Sequence, residues 1–365
     1  MNQDGFRKLI SGRSGSLFAT VLRSALRVAA CAYSASIWLR NRMYSKGWSK
    51  THRVDAIVIS VGNITTGGTG KTPLVIWLYN KLTQNSELKT HNSKCAILTR
   101  GYKTKKGRLS GEPAVLAKSC PEAKVIVNPD RVAGAAEAVS KWGAKILIMD
   151  DGFQHRRLGR DLDIVTIDAM CPFGYGKVLP AGLLREPVDA LKRADAVVIT
   201  RCEQVTEPKL AQVQEQLRRI NPDIPIAMSV HAPVCAKSLG GKEMSIEELK
   251  DKGIFAFCGI GNPDAFLGTI RKIGANLIGS KVYNDHHRYT NSDIADIHEE
   301  ARYLGTDLIM TTQKDWSKIC NSNFSILNSQ DIPFVYLVIE LKFIRAEDEI
   351  IQLIEKAVAD KMSRK

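Results

Sequence analysis

A glycine-rich turn between a strand-like run and a helix-like run constrains this chain more than any other segment. The apolar run at residues 56–61 leads into Gly62-Asn63-Ile64-Thr65-Thr66-Gly67-Gly68-Thr69-Gly70-Lys71-Thr72-Pro73, and a helical pattern follows over residues 74–82. Glycines let backbone N–H groups surround phosphate oxygens, and the helix N-terminus adds partial positive charge. This order of elements predicts a binding site for a nucleoside triphosphate.

The side chains of this turn have separate predicted roles. Lys71 is predicted to reach the β- and γ-phosphates, and the Thr72 hydroxyl is predicted to hold Mg²⁺. The preceding residues are predicted to surround the phosphates: Thr66, Gly67, Gly68, Thr69 and Gly70. Thr65 stands where the usual motif G-x-x-x-x-G-K-[ST] has its first glycine, and the alternative is a glycine-rich turn with a surface lysine.

Length and composition indicate a globular protein of one large or two moderate domains. The chain has 365 residues, of which 44% are hydrophobic and 25% are charged, and these proportions exclude a disordered protein. Eight cysteines are scattered without a C-x-x-C pair, which is typical of a reducing compartment. The start of the chain lacks a short apolar core followed by a cleavage site, so no cleaved signal is expected.

Positive charge is concentrated at the start of the chain. Residues 1–53 hold ten Lys or Arg against one acid, Asp4, and so account for +9 of the net charge of +14. A basic segment of this kind is attracted to an anionic surface, either nucleic acid or phospholipid.

The pattern within this segment distinguishes the two surfaces. A helix over residues 17–39 would gather apolar side chains on one wide face: Leu17, Phe18, Val21, Leu22, Leu26, Val28, Tyr33 and Ile37. Two central arginines, Arg23 and Arg27, disfavour a bilayer span, so the pattern predicts an interfacial membrane helix within residues 1–45. The alternative is a helix packed on the protein's own core. No nucleic-acid partner is expected, because the apolar face has no role in a phosphate groove.

After the turn, short apolar runs alternate with helix-like stretches. The runs lie at residues 95–99, 124–127, 145–149, 164–167 and 196–200, and this alternation predicts βα units of a mainly parallel sheet. A second α/β block begins near residue 224. We therefore predict an α/β fold with a P-loop NTPase-type domain at residues 46–225 and a smaller α/β domain at residues 226–365, closing a cleft.

Polar residues at the ends of the predicted strands are the candidates for chemistry. Asp150 and Asp151 follow an apolar strand, where Mg²⁺ requires a carboxylate beside the Thr hydroxyl; the alternative is a turn with solvated acids. Arg100 and Arg131 could each clamp a phosphoryl oxygen or simply pair with a surface carboxylate. The Gly- and Pro-rich loop 174–187 is predicted to shape a substrate pocket.

These segments together resemble the tetraacyldisaccharide 4'-kinase family, the membrane-associated lipid A kinases. The matching stretches include Asp150-Asp151-Gly152-Phe153-Gln154-His155, Leu98-Thr99-Arg100-Gly101-Tyr102, Asp130-Arg131-Val132-Ala133-Gly134, Leu179-Pro180-Ala181-Gly182 with Arg185-Glu186, and Asp285-His286-His287. They occur in the family's order, with the phosphate turn, from residue 58 to about residue 290.

The resemblance implies ATP- and Mg²⁺-dependent phosphorylation of a sugar hydroxyl on a tetraacylated glucosamine disaccharide, the lipid substrate. It also implies a peripheral position on the cytoplasmic face of the bacterial inner membrane. By family position, Lys71 and Thr72 bind ATP and metal, with Asp150, Asp151 and Glu186 as further metal candidates. Other residues expected to line the catalytic and substrate site are Arg100, Arg131, His155, Glu186 and His286, and Asp150 is a further substrate candidate.

One departure from the family pattern concerns proton transfer. The family has Gly-Asp-Glu-Pro where this chain has Ser110-Gly111-Glu112-Pro113, so Gly111 takes the place of the aspartate that works with the histidine matching His286. Glu112 or Asp151 compensates, or His286 acts unaided, or the chain is a weakly active lipid-binding relative. A further alternative is a P-loop switch or motor ATPase with a protein or nucleic-acid partner, although this leaves the apolar N-terminal face unexplained.

Overall fold

A computed structural model describes residues 3–12, 15–84, 94–101, 112–238, 241–285, 287–320 and 332–363. The helices are α1 Gln3–Ile10, α2 Leu17–Ser45, α3 Lys71–Gln84, α4 Glu112–Ser119, α5 Arg131–Trp142, α6 Glu207–Ile220, α7 Ile246–Leu249, α8 Pro263–Lys272, α9 Asn291–Tyr303, α10 Gln313–Ile319 and α11 Glu347–Ser363. The strands are β1 Ile57–Asn63, β2 Cys95–Thr99, β3 Lys124–Val127, β4 Ile146–Asp150, β5 Leu162–Asp168, β6 Ala196–Thr200, β7 Ile226–Ser238, β8 Glu243–Ser245, β9 Gly253–Cys258, β10 Asn276–Val282, β11 Leu308–Thr312 and β12 Phe334–Arg345.

The described residues form two compact units. The first takes its residues from 1–101, 120–230 and 343–365, and the second from 102–119 and 231–342. The chain passes from the first unit to the second after residue 230, and two other segments belong to units that differ from their neighbours in the chain. Helix α11 belongs to the first unit, where Lys361 contacts Asp161 at 3.2 Å. Helix α4 belongs to the second unit, where Lys118 donates to the Tyr336 hydroxyl at 2.8 Å.

The first unit contains a parallel sheet in the order β3-β2-β4-β1-β5-β6-β7. Every residue of β1, β2, β4, β5 and β6 is buried, as expected for strands covered by helices on both faces. Strand β1 lies between β4 and β5, so the turn after β1 and the acids after β4 emerge side by side at the carboxyl edge. The predicted mainly parallel P-loop-type domain is confirmed.

The second unit is a smaller α/β unit. Strands β10, β9, β11 and β12 pair in this order and in parallel, and β8 pairs antiparallel with residues 235–237 of β7. Phe255 and Phe257 of β9 belong to one apolar cluster, and Ile254 and Ala256 of the same strand belong to another. Because alternate side chains of a strand point to opposite sides, these clusters cover both faces of β9.

Helix α2 has two apolar faces, which corrects the prediction of one wide face. Ala30 belongs to the core of the first unit, and Leu26 and Tyr33 pack against that core. Other apolar side chains of the helix are exposed: Leu17, Phe18, Val21, Val28, Trp38, Leu39 and Met43. We call this second set the outer stripe. Among the described residues, no helix is long and apolar enough to cross a membrane.

Candidate functional site

The phosphate turn joins β1 to α3 in a conformation that requires glycine. Gly67 and Gly70 have positive φ angles of 108° and 81°, which residues with a side chain rarely adopt. A Cβ added to Gly62 would lie 2.5 Å from the Cβ of Phe153, so the segment after β4 can approach β1 only where β1 lacks a side chain. Lys71 and Thr72 are the first two residues of α3.

Thr65, which replaces the first glycine of the usual motif, pairs with another segment of the chain in a strand-like manner. It forms an isolated antiparallel bridge with Leu184, and its φ is not in the left-handed region. On either side, the amide of Thr66 donates to Leu183 at 2.8 Å and the amide of Arg185 donates to Ile64 at 2.7 Å. We call residues 183–186 the brace. A short strand-like pairing with the brace thus holds the start of the turn, and a β-branched residue suits this conformation.

Hydrogen bonds from neighbouring strands hold the middle of the turn at Thr69. Its hydroxyl accepts from the Asn63 amide at 2.9 Å and lies 2.7 Å from the Thr166 hydroxyl. Its carbonyl accepts from the Thr200 hydroxyl at 2.9 Å. All four residues are buried, so these bonds satisfy polar groups that water does not reach.

A buried ion pair supports the turn at Gly68. The Arg201 guanidinium donates to the Gly68 carbonyl and pairs with the Asp168 carboxylate at 2.6 Å. The two side chains are 7% and 8% exposed. The arginine therefore connects the end of β5 to the backbone that is predicted to surround the phosphates.

The two aspartates after β4 have different surroundings. Asp150 is 3% exposed, and its carboxylate accepts from the Thr99 hydroxyl at 3.4 Å. Strand β4 ends at Asp150, and Asp151 has a φ of 53°. The Asp151 carboxylate lies 3.5 Å from Lys71 Nζ and 2.8 Å from a guanidinium nitrogen of Arg185. Lys71 at the start of α3 and Arg185 of the brace therefore both contact the Asp151 carboxylate.

Asp151 is ionised at neutral pH. Burial opposes its charge, but the positive charges of Lys71 and Arg185 outweigh burial and lower its pKa to about 2. A carboxylate with so low a pKa is a weak proton acceptor. Asp151 is therefore better suited to charge interactions with phosphate-bound cations than to removing a proton.

Arg100 and Arg131, the two arginines predicted to clamp a phosphoryl oxygen, differ in exposure. Arg131 is 3% exposed and donates to the carbonyls of Asn128 at 2.7 Å and Asp150 at 3.2 Å. Burial lowers the pKa of its guanidinium. It begins α5, where the Asp130 carboxylate caps the helix by accepting from Val132 at 2.9 Å. Arg100, which follows β2, is exposed. Arg131 thus supports the backbone of Asp150, and its predicted role as a phosphoryl clamp stays a prediction.

His155 lies close to several cations. Burial, followed by the charges of Arg131 and Arg157, lowers the pKa of its imidazole from 6.5 to about 4. The ring is therefore neutral at pH 7. Its Nε2 atom is buried without a hydrogen-bond partner among the described residues.

We predict a specific pH dependence of stability from His155. In the unfolded chain the ring binds a proton below about pH 6.5, whereas in the folded chain it does so only near pH 4, so the unfolding free energy falls as pH decreases through this window. The His155→Gln variant should lose less stability than wild type between about pH 7 and about pH 5, because glutamine does not titrate. Urea unfolding at both values measures this, and an equal loss in the two proteins would contradict it.

Glu186, the last residue of the brace, is fully buried and bonded to side chains of the first unit. Its carboxylate accepts from Arg40 at 3.2 Å, from Asn41 at 2.8 Å and from Arg193 at 3.1 Å. Two of these donors belong to α2. The structure therefore places Glu186 beside α2, and its assignment as a metal or substrate ligand stays a prediction.

The second unit brings together a separate charged group. Lys314 Nζ lies 3.1 Å from Glu112 and 3.5 Å from Asp285. Burial opposes the charge of Lys314, but the two carboxylates outweigh it and raise its pKa. Sequence reasoning missed Lys314, although it follows strand β11 and so satisfies the strand-end criterion. Gly111 and His286 lie outside the described residues.

Among the described residues, no group of three or more His, Cys, Asp or Glu side chains is placed to hold a metal ion. Mg²⁺ is usually bound by one or two carboxylates together with substrate phosphates. The donor set of Thr72, Asp150 and Asp151 fits that pattern in its chemistry, with one hydroxyl and two carboxylates. Asp151 lies 3.5 Å from Lys71, the residue before Thr72, and Asp150 precedes Asp151 at the end of β4.

Three comparisons with known proteins point to the same family, and each covers most of the chain. Residues 22–359 match the family LpxK, described as tetraacyldisaccharide-1-P 4'-kinase. A tetraacyldisaccharide 4'-kinase of Halothermothrix orenii is 34% identical over 89% of this chain and 90% of its own length. That of Syntrophus aciditrophicus is 36% identical over 87% and 88%. The crystal structure of "apo" form LpxK from Aquifex aeolicus in complex with ATP aligns with a TM-score of 0.67 and 27% identity, covering 92% of this chain and 99% of that one.

Proposed function

The chain belongs to the LpxK family, the tetraacyldisaccharide-1-P 4'-kinases, and on this premise we propose that it transfers the γ-phosphoryl group of ATP to the 4'-hydroxyl of a tetraacylated glucosamine disaccharide. The observation that carries the proposal is the convergence of Lys71 and Arg185 on Asp151 beside the phosphate turn. A turn of this construction, preceded by a buried strand and followed by a helix, supports binding of a nucleoside triphosphate.

The reaction exchanges one phosphorus–oxygen bond for another. The sugar oxygen attacks the γ-phosphorus, the bond from that phosphorus to the bridging oxygen breaks, ADP leaves, and the hydroxyl proton passes to a base. Backbone N–H groups of residues 67–70 bind the phosphates, whereas the Thr66 amide donates to the Leu183 carbonyl. Lys71 neutralises charge on the transferred group. Positioning and charge neutralisation supply most of the catalysis in reactions of this kind.

We assign Mg²⁺ binding to Thr72, with Asp150 and Asp151 as the carboxylates. Bound there, the ion would neutralise negative charge on the phosphate oxygens. The Glu186 carboxylate already accepts hydrogen bonds from Arg40 and Asn41 of α2. We therefore rank Glu186 below Asp150 and Asp151 as a candidate Mg²⁺ ligand.

The identity of the proton acceptor is a separate part of the proposal. Asp151 is disfavoured because its pKa is about 2. Glu112 and His286 remain as candidates from the family pattern. Within the second unit, Glu112 lies 3.1 Å from Lys314.

Transfer of labelled phosphate from ATP to the tetraacyldisaccharide 1-phosphate in detergent tests this function. Wild type should label this acceptor and should not label an acceptor whose 4'-hydroxyl is already phosphorylated. Absence of transfer, together with ATP hydrolysis stimulated by a nucleic acid or a protein, would support the switch ATPase instead. Transfer that rises from near zero in Gly111→Asp would support the weakly active relative.

We further propose that the outer stripe of α2 attaches the protein peripherally to the cytoplasmic face of the inner membrane. Leu17 and Phe18 are 86% and 77% exposed, which is unusual for large apolar side chains. Arg42 and Lys46 lie at the other end of the helix and are exposed. Apolar burial in the interface and attraction of basic residues to anionic headgroups would act together.

We predict that the double variant Val28→Ser/Leu39→Ser binds anionic vesicles about ten-fold or more weakly than wild type, because two apolar side chains are lost from the interface. Binding of wild type should also weaken with added salt. Cosedimentation with vesicles measures both effects. Tyr303→Ser is the matched control, since Tyr303 is 89% exposed on α9 and should leave binding unchanged. Equal losses in both variants would contradict attachment through α2.

A further inference from the structure

Helix α2 is bonded to the brace as well as exposed on its outer stripe. The Tyr33 hydroxyl donates to the carbonyl of Arg185 at 2.9 Å. Two turns further along the helix, Asn41 donates to Glu186 at 2.8 Å and Arg40 donates to it at 3.2 Å. The helix therefore contacts two consecutive residues of the brace through three side chains.

Because Glu186 is buried, its charge depends on these hydrogen bonds. Glu186 is fully buried, and a buried carboxylate is stable only when charged or polar donors surround it. Arg193, at 3.1 Å, is the further donor. Loss of a donor from α2 would leave part of this charge unsatisfied, so Glu186 would move toward other partners and take the neighbouring Arg185 with it.

The opposite side of the brace contacts the nucleotide site. The Arg185 amide donates to Ile64, and the Arg185 guanidinium contacts Asp151 with both distances at 2.8–2.9 Å. Leu183 accepts from the amide of Thr66 at 2.8 Å. One short segment thus links α2 on one side to the phosphate turn and Asp151 on the other.

We propose that Tyr33 and Asn41 of α2 are positioning residues for the nucleotide site, acting through Arg185 and Glu186. In this arrangement α2 is part of the ATP-binding scaffold, in addition to its role at the membrane. The inference rests on the proposed function only for the identity of the nucleotide as ATP.

The test is the affinity for ATP of the full chain in detergent, without any acceptor lipid. Tyr33→Phe removes only a hydroxyl, and Asn41→Leu replaces the amide by an apolar group of similar size. Each should weaken ATP binding by about ten-fold, the effect of losing a hydrogen bond to a buried charged or main-chain group. Ser36→Ala is the control on the same helix, because its exposed hydroxyl bonds the carbonyl of Ala32 at 3.0 Å and should not affect ATP affinity.

A double-mutant cycle separates positioning from general destabilisation. In an Arg185→Met background, adding Asn41→Leu should change ATP affinity by less than about two-fold, because the residue through which Asn41 acts is gone. Wild-type affinity in both single variants, or a full ten-fold effect of Asn41→Leu in the Arg185→Met background, would overturn the proposal. The two proposals can fail separately. If wild type binds ATP but transfers no phosphate to the acceptor, the kinase proposal fails, and the ATP affinities of the variants still test the role of Tyr33 and Asn41.

Discussion

Replacing Lys71 by methionine is expected to reduce phosphate transfer by about 10²–10³-fold while the protein stays folded. A preorganised cation at the reacting phosphoryl group contributes on this scale. Lys71 Nζ lies 3.5 Å from Asp151, and its side chain is 12% exposed, so little solvent is available to replace its charge. Initial rates at saturating ATP and acceptor, with an unfolding curve for each protein, measure the effect.

Lys81 provides the matched control for this prediction. It lies on the same helix, α3, and pairs with Glu347 at 2.9 Å, with both side chains 35% exposed. Lys81→Met removes the same charge from the same helix but not from the phosphate turn, so its rate should stay within about two-fold of wild type. Comparable losses in the two variants, or a Lys71→Met enzyme with more than a tenth of the wild-type rate, would refute the assignment of Lys71.

The second large effect is expected in stability. Arg201→Met removes the cationic partner of Asp168, whose side chain is 8% exposed, and breaking a buried pair from one side costs about 3–5 kcal/mol. The same substitution removes the donor to the Gly68 carbonyl, so ATP affinity should also fall. Urea unfolding gives the free energy of unfolding, and titration with ATP gives the affinity.

Arg219→Met tests whether burial is the cause. Arg219 pairs with Glu215 at 2.6 Å, a bond at least as short as that of the buried pair, but the side chains are 73% and 63% exposed. Exposed pairs contribute about 0–1 kcal/mol, so this variant should unfold near the wild-type midpoint. A similar loss in both arginine variants would show that burial of the Asp168–Arg201 pair has no special effect.

Much of the first unit was predictable because its signals are local. The phosphate turn has Gly67 and Gly70 where positive φ angles occur, and the buried strands appear as continuous apolar runs. Strand β10 of the second unit forms no such run, because its residues alternate between exposed and partly buried and Gly, Ser and Lys interrupt its apolar residues. Helix α11 was also not predicted as part of the first unit, since its neighbour Asp161 is 200 residues away in the chain.

The candidate site also has one part that the sequence predicts and another part that only the structure shows. Lys71, Thr72, Asp150 and Asp151 follow from motif and strand-end position, whereas the convergence of Lys71 and Arg185 on Asp151 depends on the pairing of β1 with β4 and of the brace with the phosphate turn. Arg201 directly follows β6 and so meets the strand-end criterion, but its pairing with Asp168, 33 residues away, depends on the sheet. The sequence predicted an apolar face on α2 that includes Leu17, Phe18, Val21 and Val28, but it predicted neither the continuation of the outer stripe through Trp38, Leu39 and Met43 nor its separation from the inner apolar face.

The sequence by itself determined the phosphate turn and the buried strands of the first unit, the candidate residues for binding phosphate and metal, and the family that the chain resembles. These properties depend on backbone preference and residue chemistry within a few positions. Only the tertiary structure decided which charges meet: that α2 is bonded to Glu186, that Arg201 supports Gly68, and that Asp151 keeps a pKa of about 2. Burial and the distance between distant residues control these interactions, and both arise when the chain packs.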